Sequence, residues 1–176
     1  MSIKNVGVNR RVPSLFLSES LVADPFVEVN EAFKAKLDIE FESVKGTLKQ
    51  IDALYDLLKK REHNISHQSL PTFEEHEIFV KSFPYKKWYL VTSQDGYIGS
   101  CYLDYNNSIG LNLIDESPEV VRVCIEFFEN GHNLEKEVKS KIPPYFYVNV
   151  PHNNEVLKKS LESIGMVRIQ TTFSKK

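Results

Sequence analysis

Glu62, His63 and His67 have a spacing that can hold a metal, since imidazoles four residues apart meet on one face of a helix. The bridge between them, Asn64-Ile65-Ser66, is a poor helix former, so a loop and no metal site are expected. Glu74, Glu75 and Glu77 can attract an amine, but acids in a first helical turn also complement the helix dipole, and that simpler role is the one expected. Tyr145, Tyr147 and Asn149 alternate along one face of an aromatic and β-branched run, where such residues often serve packing. Asn112 projects from another strand and can orient an amine or a water, or be solvated there. Cys101 and Cys124 lie in apolar stretches and are expected to be free buried thiols, with no Cys/His cluster at zinc spacing.

These residues need a scaffold, and the periodicity of the chain supplies one. Asp38 to Val44 alternates apolar and polar residues as a half-buried strand does. Thr47 with Gln50, and Thr72 with Glu75, are capping boxes that open two helices, the first to about Lys60 with Leu48, Ile51, Leu54, Leu57 and Leu58 in a stripe. The second runs to about Ser82, with Phe73, His76, Phe79 and Val80 on one face. Trp88 to Val91 and Tyr97 to Leu103 form a hairpin about Ser93-Gln94-Asp95-Gly96, and a turn at Asp104 to Asn107 leads to a third strand, Ser108 to Ile114. Ser117 and Pro118 open a third helix that Asn130-Gly131 is expected to stop. Tyr145 to Val150 reads as a strand, Asn153 or Asn154 as the cap of a fourth helix ending at Gly165, and Met166 to Phe173 as a closing strand.

The chain of 176 residues, 41% hydrophobic, is long enough for one sizeable core. Its net charge of −2 gives no positive field for a phosphate backbone, so nucleic acid is not an expected partner. No apolar run approaches the about 20 residues that span a bilayer, and the start lacks the pattern of a secretory signal, so neither membrane association nor export is expected and the cytoplasm is. Residues 1–37 differ from the rest: Leu15-Phe16-Leu17 and Phe26-Val27 are interrupted by Pro13 and Pro25. That extension is expected to pack on the domain of residues 38–176 or to join two copies as a homodimer.

The order β-α-α-β-β-β-α-β-α-β from Asp38 onward resembles the GNAT (general-control-related N-acetyltransferase) superfamily. Local text carries the resemblance further: Asn64-Ile65-Ser66-His67, Pro71-Thr72-Phe73-Glu74-Glu75-His76, Pro84-Tyr85-Lys86-Lys87-Trp88-Tyr89 and Tyr97-Ile98-Gly99-Ser100 are similar to members acting on small, sugar-like amines. Asn149-Val150-Pro151 to Asn154, and Leu161-Glu162-Ser163-Ile164-Gly165-Met166, resemble the family's last helix and its flanks. The resemblance implies an α/β (α+β) fold with a mixed, mostly antiparallel sheet of six to seven strands flanked by about four helices. It implies acetyl-CoA or another acyl-CoA as co-substrate and no metal. The pantetheine arm would lie against Asn112, Leu113 and Ile114, the pyrophosphate would sit at Ser117, Val120 and Val121, and Asn154 would complete the cofactor site. On the acceptor side it implies His67, Tyr147 and Asn149 facing a small primary amine.

Two departures bear on this reading. Where the family has a Gly-rich turn for the pyrophosphate, the chain reads Ile114-Asp115-Glu116-Ser117-Pro118-Glu119-Val120-Val121-Arg122, with no glycine, one N–H lost to Pro118 and three added carboxylates. Leu161 stands where many members place a Tyr that protonates the departing thiolate, and leucine has no proton to give. No catalytic acid or base is assigned. Three functions follow: an acyl-CoA-dependent N-acyltransferase, a GNAT-like binding or assembly module that has lost CoA, and an acyltransferase fed by a carrier protein.

Overall fold

A computed structural model of the chain describes residues 38–63, 69–173 and 175; the extension 1–37 lies outside them. The elements are β1 (Glu40–Ser43), α1 (Leu48–Lys59), α2 (Phe73–Lys81), β2 (Lys87–Ser93), β3 (Gly96–Leu103), β4 (Ser108–Leu113), α3 (Pro118–Gly131), β5 (Tyr147–Val148) and α4 (Glu155–Ser163). Through α4 their order is the one the resemblance implies. The described residues form one five-stranded sheet, β1-β2-β3-β4-β5, antiparallel except for the parallel β4–β5 pair. Six to seven strands were expected, and the difference lies at the end of the chain: Met166 to Phe173 has the alternation of a strand but no ladder partner among the described residues.

Both capping boxes form as expected, Thr47 with Gln50 and Thr72 with Glu75, each satisfying donors that a helix start leaves open. Gln50 does more than cap: its Nε2 donates to Glu42 Oε1 (2.7 Å) and Ser43 O (2.9 Å), while its Oε1 accepts from the Lys45 N–H (2.7 Å). It thus ties α1 to β1. Ile51, Leu54 and Leu57 of α1 join Val44, Val80 and Leu90 in a core on one face of the sheet, whereas Leu48, also in the expected stripe, is exposed. His76 is buried with its Nε2 3.2 Å from Ile51 O, and Gly96 takes the positive φ, 106°, that the β2–β3 turn requires.

On the opposite face α3 and α4 cover the larger core, with Val121, Cys124 and Phe128 of α3 and Leu157 and Leu161 of α4 packed against Val91, Cys101, Leu103 and Ile109. Cys101 and Cys124 are free and buried, and burial together with the neighbouring Cys124 pushes the Cys101 thiol well above its ordinary value. α3 ends at Gly131, where Asn130-Gly131 was expected to stop it, and its C-cap is His132, whose Nε2 lies 2.9 Å from the Tyr89 hydroxyl. Asn107 holds the loop from α3 to β5 in place. Wholly buried at φ 70°, it donates from Nδ2 to Glu135 O (3.2 Å) and Pro143 O (2.8 Å), and its Oδ1 accepts from the Glu135 N–H (2.6 Å). Among the described residues no helix is long and apolar enough to cross a membrane.

Candidate functional site

The parallel strands β4 and β5 pair over two positions only, Ser108 with Tyr147 and Ile109 with Val148, and then part. The chain beyond β5 enters Pro151, which has no N–H to continue a ladder. On the other side of β4, the Asp104 N–H donates to Ser108 O and the Ile114 N–H donates to Ile98 O (both 2.9 Å). Hydrogen-bonded pairs alternate in an antiparallel ladder, so Gly110 and Asn112 also direct their backbone groups to β3. Leu111 and Leu113 are left with N–H and C=O aimed into the gap between β4 and β5. Of the three residues expected along a pantetheine arm, Leu113 therefore offers its backbone to the gap, while Asn112 and Ile114 turn theirs to β3.

The acceptor-side residues fall on the face of the sheet that carries α1 and α2. Tyr147 and Asn149 share that face with Ser108, and the Asn149 Nδ2 donates to Ser108 Oγ (3.1 Å). Burial, and then the nearby Asp104 carboxylate, hold the Tyr147 hydroxyl above its ordinary pKa, so it is a proton holder at neutral pH. Farther along the face Tyr102 stacks on Tyr85 with centroids 3.7 Å apart and planes 13° apart. The Tyr102 ring lies over Gly110, where a Cβ would stand 1.9 Å from Cζ. Burial and the neighbouring Tyr102 push the Tyr85 hydroxyl far above its usual range. Ser108 and this aromatic pair were missed in the sequence; the signal available was Gly110, since a glycine inside a strand marks a close approach. His67, and with it the set of Glu62, His63 and His67, lies outside the described residues. Among the described residues no three His, Cys, Asp or Glu side chains gather as for a metal.

The start of α3 is where an anion would be held, and the chain has placed its own carboxylates there. Asp115 Oδ1 accepts from the Ser117 N–H (2.8 Å), and the Ser117 hydroxyl makes no capping bond. Pro118 has no N–H and the Val121 N–H bonds Ser117 O (3.0 Å), leaving the amides of Glu119 and Val120 as the first-turn donors outside the helix ladder. The side chains of Val120 and Val121 are buried in the core. Asn154 is engaged twice: its Oδ1 caps α4 by accepting from the Leu157 N–H (2.9 Å), and its Nδ2 donates to Glu116 Oε1 (2.8 Å). The Ser160 hydroxyl donates to Glu116 O (2.5 Å). Glu116 thus joins the starts of α3 and α4 and occupies Asn154, expected to face the cofactor. Arg122, one turn along α3, lines a groove of about 190 Å³ with Ile125, Glu126 and Met166 and forms no ion pair with these acids. Leu161 is buried in the core and serves packing.

No family profile matches the chain, and no curated protein matches it. Among solved structures, a possible acetyltransferase from Clostridium difficile 630 is similar over 78% of this chain and 96% of that one, with 15% identity and a TM-score of 0.48. So distant a likeness adds no argument about residues or chemistry. The site is read from its own geometry.

Proposed function

We propose that the chain is an N-acyltransferase that draws its acyl group from a thioester of pantetheine, acyl-CoA being the first candidate, and passes it to a small primary amine. The observation that carries the reading is the parting of β4 and β5, which leaves the Leu111 and Leu113 amides without a strand partner among the described residues. A pantetheine arm presents amides to match such an edge, and a thioester carbonyl placed there meets an N–H that stabilises the oxyanion formed as the amine attacks. The nitrogen bonds to the carbonyl carbon, the C–S bond breaks, the amine loses a proton to solvent and the thiolate takes one from solvent. The group that relays either proton is not assigned, because Leu161 cannot and the Ser160 hydroxyl is bound to Glu116 O.

Asp115, Glu116 and Glu119 favour a second reading on the donor side: a thioester lacking adenosine diphosphate suits the acidic start of α3 better than CoA does. Calorimetric titration with acetyl-CoA and, separately, with S-acetyl-pantetheine tests both. Binding of both donors with dissociation constants within a few-fold of each other is expected. Failure of both up to millimolar concentration would leave the binding-module reading in place and remove the enzyme.

A further inference from the structure

We propose that two copies of the chain exchange their C-terminal segments, residues 166–173 of each pairing with the free outer edge of β5 in the other. The sheet ends at β5, so one side of that strand has backbone donors and acceptors with no strand beside them among the described residues. The sheet's other end is guarded: β1 carries Glu40 and Glu42, charges of the kind that discourage a further strand. Tyr145 to Val150 carries no charge at all.

The segment that would fill this edge is present in the same chain. After Gly165 (φ 94°) the chain leaves α4 without forming a regular element, and Val167, Ile169 and Phe173 are 78%, 58% and 91% exposed. Alternation sets Val167, Ile169, Thr171 and Phe173 on one face and Arg168, Gln170 and Thr172 on the other. The β5 stretch is divided in the same way. Phe146, Val148 and Val150 pack against the α3–α4 core, while Tyr147 and Asn149 fall on the opposite face. Pairing in the register parity that puts apolar with apolar extends the core outward and keeps the polar residues together; a one-residue slip would mismatch both faces. Met166 stays with its own core, its N–H bonded to Leu161 O (3.0 Å), and Arg168 pairs with Glu162 of its own α4 (2.6 Å), but among the described residues neither the outer edge of β5 nor the chain beyond Met166 has a partner strand. Two copies resolve both at once, with a closed twofold in which each donates and each accepts.

The test is the mass of the full chain in solution by light scattering, beside Ile169→Lys. That substitution puts a charge on a side chain already exposed in the single chain, so folding, checked by circular dichroism, is expected to be unchanged. The wild-type chain is expected at twice its 20.3 kDa mass, with amides of 167–172 protected from hydrogen exchange, and Ile169→Lys at the single mass with those amides exposed. A wild-type monomer overturns the proposal, whether or not those amides are protected. A dimer that survives Ile169→Lys overturns it as well, and points to a contact through residues 1–37.

Discussion

The two sides of the sheet are built by different rules. On the side of α1 and α2 many of the tying contacts are close in sequence: Thr47 and Gln50 lie three residues apart, as do Thr72 and Glu75, and Gln50 reaches Glu42 across eight, with His76 to Ile51 across 25 and Tyr97 to Glu42 across 55 the longer ones. On the side of α3 and α4 they are long-range, with Asn107 bound to Pro143 across 36 residues, Asn154 to Glu116 across 38 and Ser160 to Glu116 across 44. The second half contains the gap between β4 and β5, and its shape depends on side chains that span the site.

If that contrast holds, the largest single loss of stability comes from Asn107. Asn107→Ala leaves Glu135 N–H and two carbonyls without partners in a buried site, and about 3 kcal/mol is expected by urea denaturation. Gly110→Ala comes next, at about 2 kcal/mol, because its Cβ meets the Tyr102 ring. Tyr102→Ala in the same chain should recover most of it; no recovery would mean that strand geometry, not the ring, sets the cost. On the local side Gln50→Ala should cost about 1–2 kcal/mol and leave donor binding unchanged.

Much of the local half was legible in the sequence, because capping boxes, the Gly96 turn and the apolar stripe on α1 depend on neighbours a few residues away. Less of the site was. Asn112, Leu113 and Ile114 were grouped together, but only the pairing of β4 with β3 tells which amides face the gap. The acids at the start of α3 were visible as acids, whereas the seating of Glu116 on Asn154 needs two helix ends brought together by the fold. The strand pattern of Met166 to Phe173 was also legible; its missing ladder was not, since alternation says nothing about which edge is free.

The smallest expected effect is one of pH. Burial lowers the His76 pKa below its ordinary value near 6.5, partly offset by the bond to Ile51 O. As pH falls, the unfolded chain takes up this proton before the folded one does. Stability present above pH 6.5 is therefore lost as pH falls through the folded value. His132, also lowered chiefly by burial, adds in the same sense. Thermal unfolding of the wild-type chain is expected to weaken from pH 7.5 to pH 5.5, and His76→Gln to weaken less over that interval.

The sharpest contrast between the halves is at the start of α3. Glu116→Gln removes one charge from the place a pyrophosphate would occupy, and about a fivefold gain in affinity for acetyl-CoA is expected, with no gain for S-acetyl-pantetheine. Equal gains for both donors would mean that Glu116 acts on the gap itself.

The most direct measurement is a nitrogen–proton NMR titration of the chain with S-acetyl-pantetheine, following backbone amides. A donor lying between β4 and β5 should give its largest shifts at Leu111 and Leu113, with the β1, α1 and α2 amides unmoved. Shifts centred instead on Arg122 and Met166, or no shifts at millimolar donor, would contradict the account.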